Sequence, residues 1–153
     1  MKRAAFVTCV VAVAASAALA QGERTLSADG KTLTFDVPAD AVYTNTTPIE
    51  TTVTNIVKIG GGEACFVPQT NDVYRGGIQI KEGFLSGLQR SFGKPANITI
   101  ESDPDTSVGG AIVFLDLRPE AISTTASPFW DTKWHVSGAG PDGTGAIQRP
   151  VTH

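Results

Sequence analysis

The chain has 153 residues, 12 Lys+Arg against 15 Asp+Glu, and a net charge of −3. With 41% hydrophobic and 18% charged residues, it is too apolar for a disordered chain and too polar for a membrane bundle. The length fits one domain and leaves little room for a second.

The first twenty residues read as a signal peptide. Met1-Lys2-Arg3 is a basic start, Ala4 to Ala15 is an apolar run, and Ala18-Leu19-Ala20 fits the small-x-small cleavage rule. The run falls short of the roughly 20 residues that span a bilayer. Cleavage between Ala20 and Gln21 leaves 133 residues and removes Lys2, Arg3 and no acid, so the net charge moves to −5. The expected address is therefore outside the cytoplasm: secreted, or periplasmic if the source is bacterial. An acidic chain with scattered cations disfavours nucleic acid as a partner.

Cys9 leaves with the signal, so Cys65 stands alone and no intrachain disulfide is expected. Its apolar neighbours Ala64, Phe66 and Val67 favour burial. A Cys65-linked dimer and a reactive thiol are the alternatives.

Residues 21–137 read as a strand-rich domain. Threonine fills 17 of the 133 mature positions, and β-branched residues suit a pleated surface. Leu33, Phe35 and Val37 alternate with Thr32, Thr34 and Asp36, and Asp29-Gly30 marks a hairpin turn before them. A loop is expected over 39–48. Strands follow over 51–59 and 64–67, with Gly60-Gly61-Gly62 as a flexible hairpin loop between them. The next strand spans 73–81, with a bulge at Gly76-Gly77. Phe84, Leu88 and Phe92 at helical spacing, closed by Gly93 and Pro95, predict one short helix. Strands resume over 96–101, 108–117 and 129–136. From residue 138 the Gly- and Pro-rich sequence predicts a flexible tail to residue 153. The expected fold class is all-β: a β-sandwich or small barrel of seven or eight short antiparallel strands with one short helix.

No strong catalytic motif occurs. Trp130, Trp134 and Tyr74, with Phe129 nearby, offer an aromatic platform for sugar rings, with His135 and Asp131 for hydroxyls; burial in the core is the commoner fate of such aromatics. Glu101, Asp103 and Asp105 alternate and could share calcium, although EF-hand spacing is missing. Cys65 and His135 could act as nucleophile and base in a small secreted hydrolase, but no local signature surrounds Cys65. Zinc and blue copper lack the necessary His and Cys ligands. Asn45 and Asn97 head glycosylation sequons, and Asn45, in its loop, is expected to be the more accessible. The leading functional expectation is a non-catalytic binding protein for an extracellular protein or glycan. The alternatives are the hydrolase and a calcium-stabilised adhesion module.

Overall fold

The computed structural model describes residues 21–66, 74–102, 109–115 and 131–148. These contain eleven strands: β1 (Glu23–Leu26), β2 (Thr32–Asp36), β3 (Val42–Asn45), β4 (Asn55–Ile59), β5 (Glu63–Phe66), β6 (Gly77–Ile80), β7 (Gly83–Gly87), β8 (Asn97–Ile100), β9 (Gly110–Phe114), β10 (Lys133–Val136) and β11 (Ile147–Gln148). They form two sheets. The first has the order β1-β2-β4-β6-β8-β10 and the second β11-β9-β7-β5-β3.

The chain is all-β, but the expected antiparallel sandwich of seven or eight strands is overturned. After the β1–β2 hairpin, every pairing between these strands is parallel; a single antiparallel bridge joins Ser102 and Gly109 outside them. Successive strands alternate between the sheets, so each circuit lays one strand on the first sheet and one on the second. This is a two-sheet parallel solenoid of five circuits, with β1 as an extra strand at its N-terminal end. Alternation of apolar and polar residues suits both architectures, because it reports only that one strand face is buried. The strands lie where period-two patterning places most of them; their partners do not.

The hairpin at Asp29-Gly30 forms, with Leu26 opposite Leu33. Gly60-Gly61-Gly62 does not make a hairpin. It is a corner that carries the chain from β4 in one sheet to β5 in the other. The expected helix is replaced by β7 and a single 3-10 turn at Gln89–Phe92. Gly83 and Gly87 lower helix propensity there, and Phe84 and Leu85 pair with β5 and β9 instead. β3 falls within the expected loop. β11 falls within the expected tail, where Ala146 is buried and Ile147 pairs with Ile112.

The core is a set of ladders along the solenoid axis. Leu33, Ile56, Ile78, Ile98 and Trp134 stack inward from the first sheet. Tyr43, Ala64, Leu85, Ile112 and Ile147 meet them from the second. An aromatic chain runs through the interior, from Phe35 to Phe66, Phe92, Phe114 and Trp134, with ring centroids 5.1–6.3 Å apart. These spacings are those of favourable tilted and edge-on pairs.

One ladder carries a lysine. Phe35, Lys58, Ile80, Ile100 and Val136 are in register, and Lys58 is fully buried. Its Nζ donates to the carbonyls of Ile59 at 2.7 Å, Gly60 at 2.6 Å and Glu82 at 3.3 Å. All three ammonium hydrogens have acceptors, which makes burial of the charge tolerable. Burial lowers the Lys58 pKa to about 8, against the opposing pull of Asp36 and Glu82.

Glycines make this corner possible. A Cβ on Gly62 would lie 2.1 Å from the Pro38 carbonyl oxygen. Gly83 has φ 65° and sits under the carbonyls of Gly60 and Gly62, with room for no side chain.

Candidate functional site

In the first three circuits the loops on the other side of the solenoid are longer. Residues 46–54 lead into β4, and the segment ending in Tyr74, Arg75 and Gly76 leads into β6. Between them lies a cleft of about 480 Å³, lined by Ile49, Glu50, Thr51, Val53, Thr54, Tyr74, Arg75 and Gly76. That volume is within the range of small-molecule sites.

The floor is apolar. Ile49, Val53 and Tyr74 are buried and belong to the core. The Tyr74 hydroxyl donates to the Gly77 carbonyl, and burial pushes its pKa up, so the phenol stays protonated. The rim is polar. Thr51 and Thr54 are exposed, and Arg75 Nη1 donates to the Tyr74 carbonyl at 2.9 Å. Arg24 Nη2 donates to both Glu50 oxygens, at 2.7 and 2.6 Å. Burial raises the Glu50 pKa, but the Arg24 hydrogen bond, a backbone hydrogen bond and the Arg24 charge together outweigh it, and the net shift is downward. Glu50 is thus an ionised, oriented acceptor.

Thr54 and Gly76 are followed at once by Asn55 and Gly77, the first residues of β4 and β6. The cleft residues Thr54 and Gly76 thus adjoin, along the chain, the first outward residues of the first sheet. One outward row reads Thr32, Asn55, Gly77, Asn97 and Lys133; the next reads Thr34, Val57, Gln79, Thr99 and His135. The amides of Asn97 and Asn55 converge over Gly77: a Cβ there would lie 2.5 and 3.3 Å from their Oδ1 atoms. Gln79 Nε2 donates to Glu101 Oε1. Strands about 4.8 Å apart make this face about 24 Å long from β1 to β10.

The residues singled out in the sequence are distributed as follows. His135 lies exposed on the outer face of the first sheet. Trp134 points inward and is half-buried, its ring edge-on to Phe114 at 6.3 Å. Tyr74 is 4% exposed and forms the cleft floor. Trp134 and Tyr74 therefore build core and floor, with no exposed stacking platform; Trp130 lies outside the described residues. Glu101 is half-buried and held by Gln79, while Asp103 and Asp105 lie outside the described residues. Among the described residues, no three His, Cys, Asp or Glu side chains converge as metal ligands.

Cys65 is half-buried on the outer face of the second sheet, in register with Thr44 and Ser86. His135 lies on the outer face of the first sheet, so the fold holds the two apart on opposite faces. Beside Cys65, the Ser86 hydroxyl donates to Glu63. The sequons also exchange places. Asn45 is 2% exposed and its Nδ2 donates to the Thr47 carbonyl at 2.8 Å, whereas Asn97 is exposed.

The cleft was missed in the sequence because its residues come from two loops brought together only by parallel pairing of β4 with β6. Among the described residues, no helix is long and apolar enough to cross a membrane. No family model matches the chain, and no match is found among curated proteins or solved structures.

Proposed function

We propose that this is an exported, non-catalytic binding protein that holds a neutral glycan along the outer face of its first sheet, with one sugar unit in the cleft. The observation that carries this reading is the row of amides and hydroxyls on the outer face, which two cleft residues, Thr54 and Gly76, adjoin along the chain. Successive strands present Asn, Gln and Thr side chains at a spacing close to the span of one pyranose residue. A sugar offers hydroxyls that both donate and accept, and amides and hydroxyls match that mixture. The Glu50 carboxylate accepts from hydroxyls at the cleft, and Ile49 and Val53 meet an apolar ring face. The net charge of −5 expected for the chain without residues 1–20 argues against an anionic polymer.

Titration calorimetry with cellohexaose, xylohexaose and chitohexaose tests the reading. At least one should bind, and Asn97→Ala and Gln79→Ala should each weaken it by about tenfold, the value of a lost hydrogen bond. Cys65→Ser should leave binding unchanged. Failure of all three hexasaccharides, or affinity indifferent to Asn97 and Gln79, would remove the glycan reading.

A further inference from the structure

We propose that maturation leaves a pyroglutamate at the N-terminus, formed by ring closure of Gln21. The inference rests on the export half of the function proposed above, with cleavage after Ala18-Leu19-Ala20. That cut makes Gln21 the first residue, and it costs the solenoid no strand, because β1 begins at Glu23. The two residues ahead of β1 are placed differently. Gly22 is packed: a Cβ there would lie 2.8 Å from Val37 Cγ2 and 2.9 Å from Tyr43 Cβ. Val37 is fully buried, so the backbone of Gly22 covers the end of the core. Glu23 is paired with Asp36 across the β1–β2 hairpin. Gln21 is exposed. The chain is thus anchored at Gly22 and Glu23, while the residue that cleavage frees stands in water.

The chemistry is contained in that one residue. An α-amine has a pKa of about 8, so a fraction of it is uncharged and nucleophilic at neutral pH. Amine and side-chain amide are tied together, and closing a five-membered ring between them is an intramolecular step of high effective molarity. The Gln21 amine nitrogen attacks Cδ; the N–Cδ bond forms and the Cδ–Nε2 bond breaks. Nε2 leaves as ammonia, carrying the proton that the amine gives up. The product is a neutral lactam, and no oxidant or co-reactant is consumed. Gly22 brings no Cβ against the closing ring.

Cyclisation has two consequences for this end of the molecule. It removes the ammonium that cleavage creates one residue from the apolar contacts of Gly22. It also removes the free amine that an aminopeptidase needs. Trimming from Gln21 would take Gly22 off the core and then reach β1, whose Arg24 holds the Glu50 carboxylate at the cleft. The ring therefore protects the strand that orients Glu50.

Intact mass spectrometry is the test, on the full chain expressed in a secreting bacterial host and then incubated at neutral pH. The expected mass is that of residues 21–153 less one ammonia. Fragmentation should place the loss at Gln21, and pyroglutamate aminopeptidase acting on the denatured chain should release the ring and leave Gly22 first. Gln21→Ser has no amide to close on and should keep its whole mass and a free amine. Residues 21–153 with the ammonia retained after prolonged incubation overturn the ring while the export reading stands. Cleavage at another bond, or the same ammonia loss from Gln21→Ser, also overturns the ring alone. A chain that keeps residues 1–20 overturns both. None of these results depends on whether a glycan binds.

Discussion

The two sides of the solenoid solve the same problem differently. On one side, in the first three circuits, the chain turns from the first sheet to the second through 37–41, 60–62 and 81–82, and backbone bonds run between stacked turns. Gly62 N–H donates to the Val37 carbonyl at 2.9 Å, and Phe84 N–H to the Gly62 carbonyl at 3.0 Å. Glycines and the Lys58 ammonium fill that corner completely. On the other side the returning loops are longer, and the space between them is the cleft. The tight side contributes order. The open side is also bonded from turn to turn, Gly77 N–H to the Thr54 carbonyl at 2.9 Å and Ala96 N–H to the Gly76 carbonyl at 3.0 Å, and its longer loops leave the cleft between them. The glycine corner and the cleft therefore fall on opposite edges of one stack.

The largest effects should come from the tight corner. Gly83→Ala puts a Cβ 2.3 Å from the Gly62 carbonyl oxygen at a φ of 65°. The expected loss is about 4 kcal/mol, a large share of the stability of an ordinary domain, read as the shift in the urea midpoint. Thr51→Ala, on the exposed cleft rim, should change stability by less than about 0.5 kcal/mol. Similar midpoints for the two variants would erase the contrast between the sides. Ile98→Ala falls between them. It cuts the central ladder, where Ile98 is fully buried, and should cost about 2–4 kcal/mol.

Ile98 also shows what a sequence can disclose. Its alternation with Asn97 and Thr99 identifies a strand with one buried face, and that is correct. Nothing in those residues says whether the neighbour is antiparallel or parallel. The ladder partners Ile78 and Trp134 stand at unequal distances along the chain, so no fixed repeat announces the circuits. The strands of the first sheet begin at residues 32, 55, 77, 97 and 133. Helical spacing of Phe84, Leu88 and Phe92 misleads for a related reason: Phe92 is buried from a 3-10 turn after β7, not from the face of a helix. The cleft was harder still, since Thr51 and Arg75 become neighbours only through the β4–β6 pairing. Among the described residues, His135 alone of the aromatic and imidazole candidates stands on the exposed face.

Lys58 allows a pH test of the corner. Its folded pKa of about 8 lies below the ordinary 10.5. Below pH 8 both folded and unfolded forms carry the charge, and burial penalises the fold throughout. Between pH 8 and 10.5 the folded form has released its proton while the unfolded chain still binds one. Stability from this group therefore rises with pH across that window, by an amount on the order of 2 kcal/mol, and levels off above it. Subtracting the profile of Lys58→Met isolates the effect from other titrating groups. A wild-type-minus-variant difference that is flat from pH 8 to 10.5 would show that the ammonium is not confined as the three carbonyls require.

The smallest expected effect sits on the open side, at Arg24 and Glu50. Their side chains are 15% and 34% exposed, and solvent screening limits such a pair to under about 1 kcal/mol. Because the Glu50 pKa is lowered on folding from 4.5, the stabilisation is complete at neutral pH and is lost as pH falls through the carboxylate range. Glu50→Gln should therefore lower the melting temperature slightly at pH 7, by an amount that shrinks as pH falls below the ordinary 4.5 and the wild-type carboxyl takes up its proton. If the cleft is a binding site, the same variant should weaken hexasaccharide binding at pH 7 by more than it weakens the fold. At the corner, Gly83→Ala should do the reverse: it removes stability, while binding to the folded fraction persists. A Glu50 variant that lost stability and kept its affinity would place the carboxylate with the scaffold, and the division between the two sides would have to be redrawn at the Arg24–Glu50 pair.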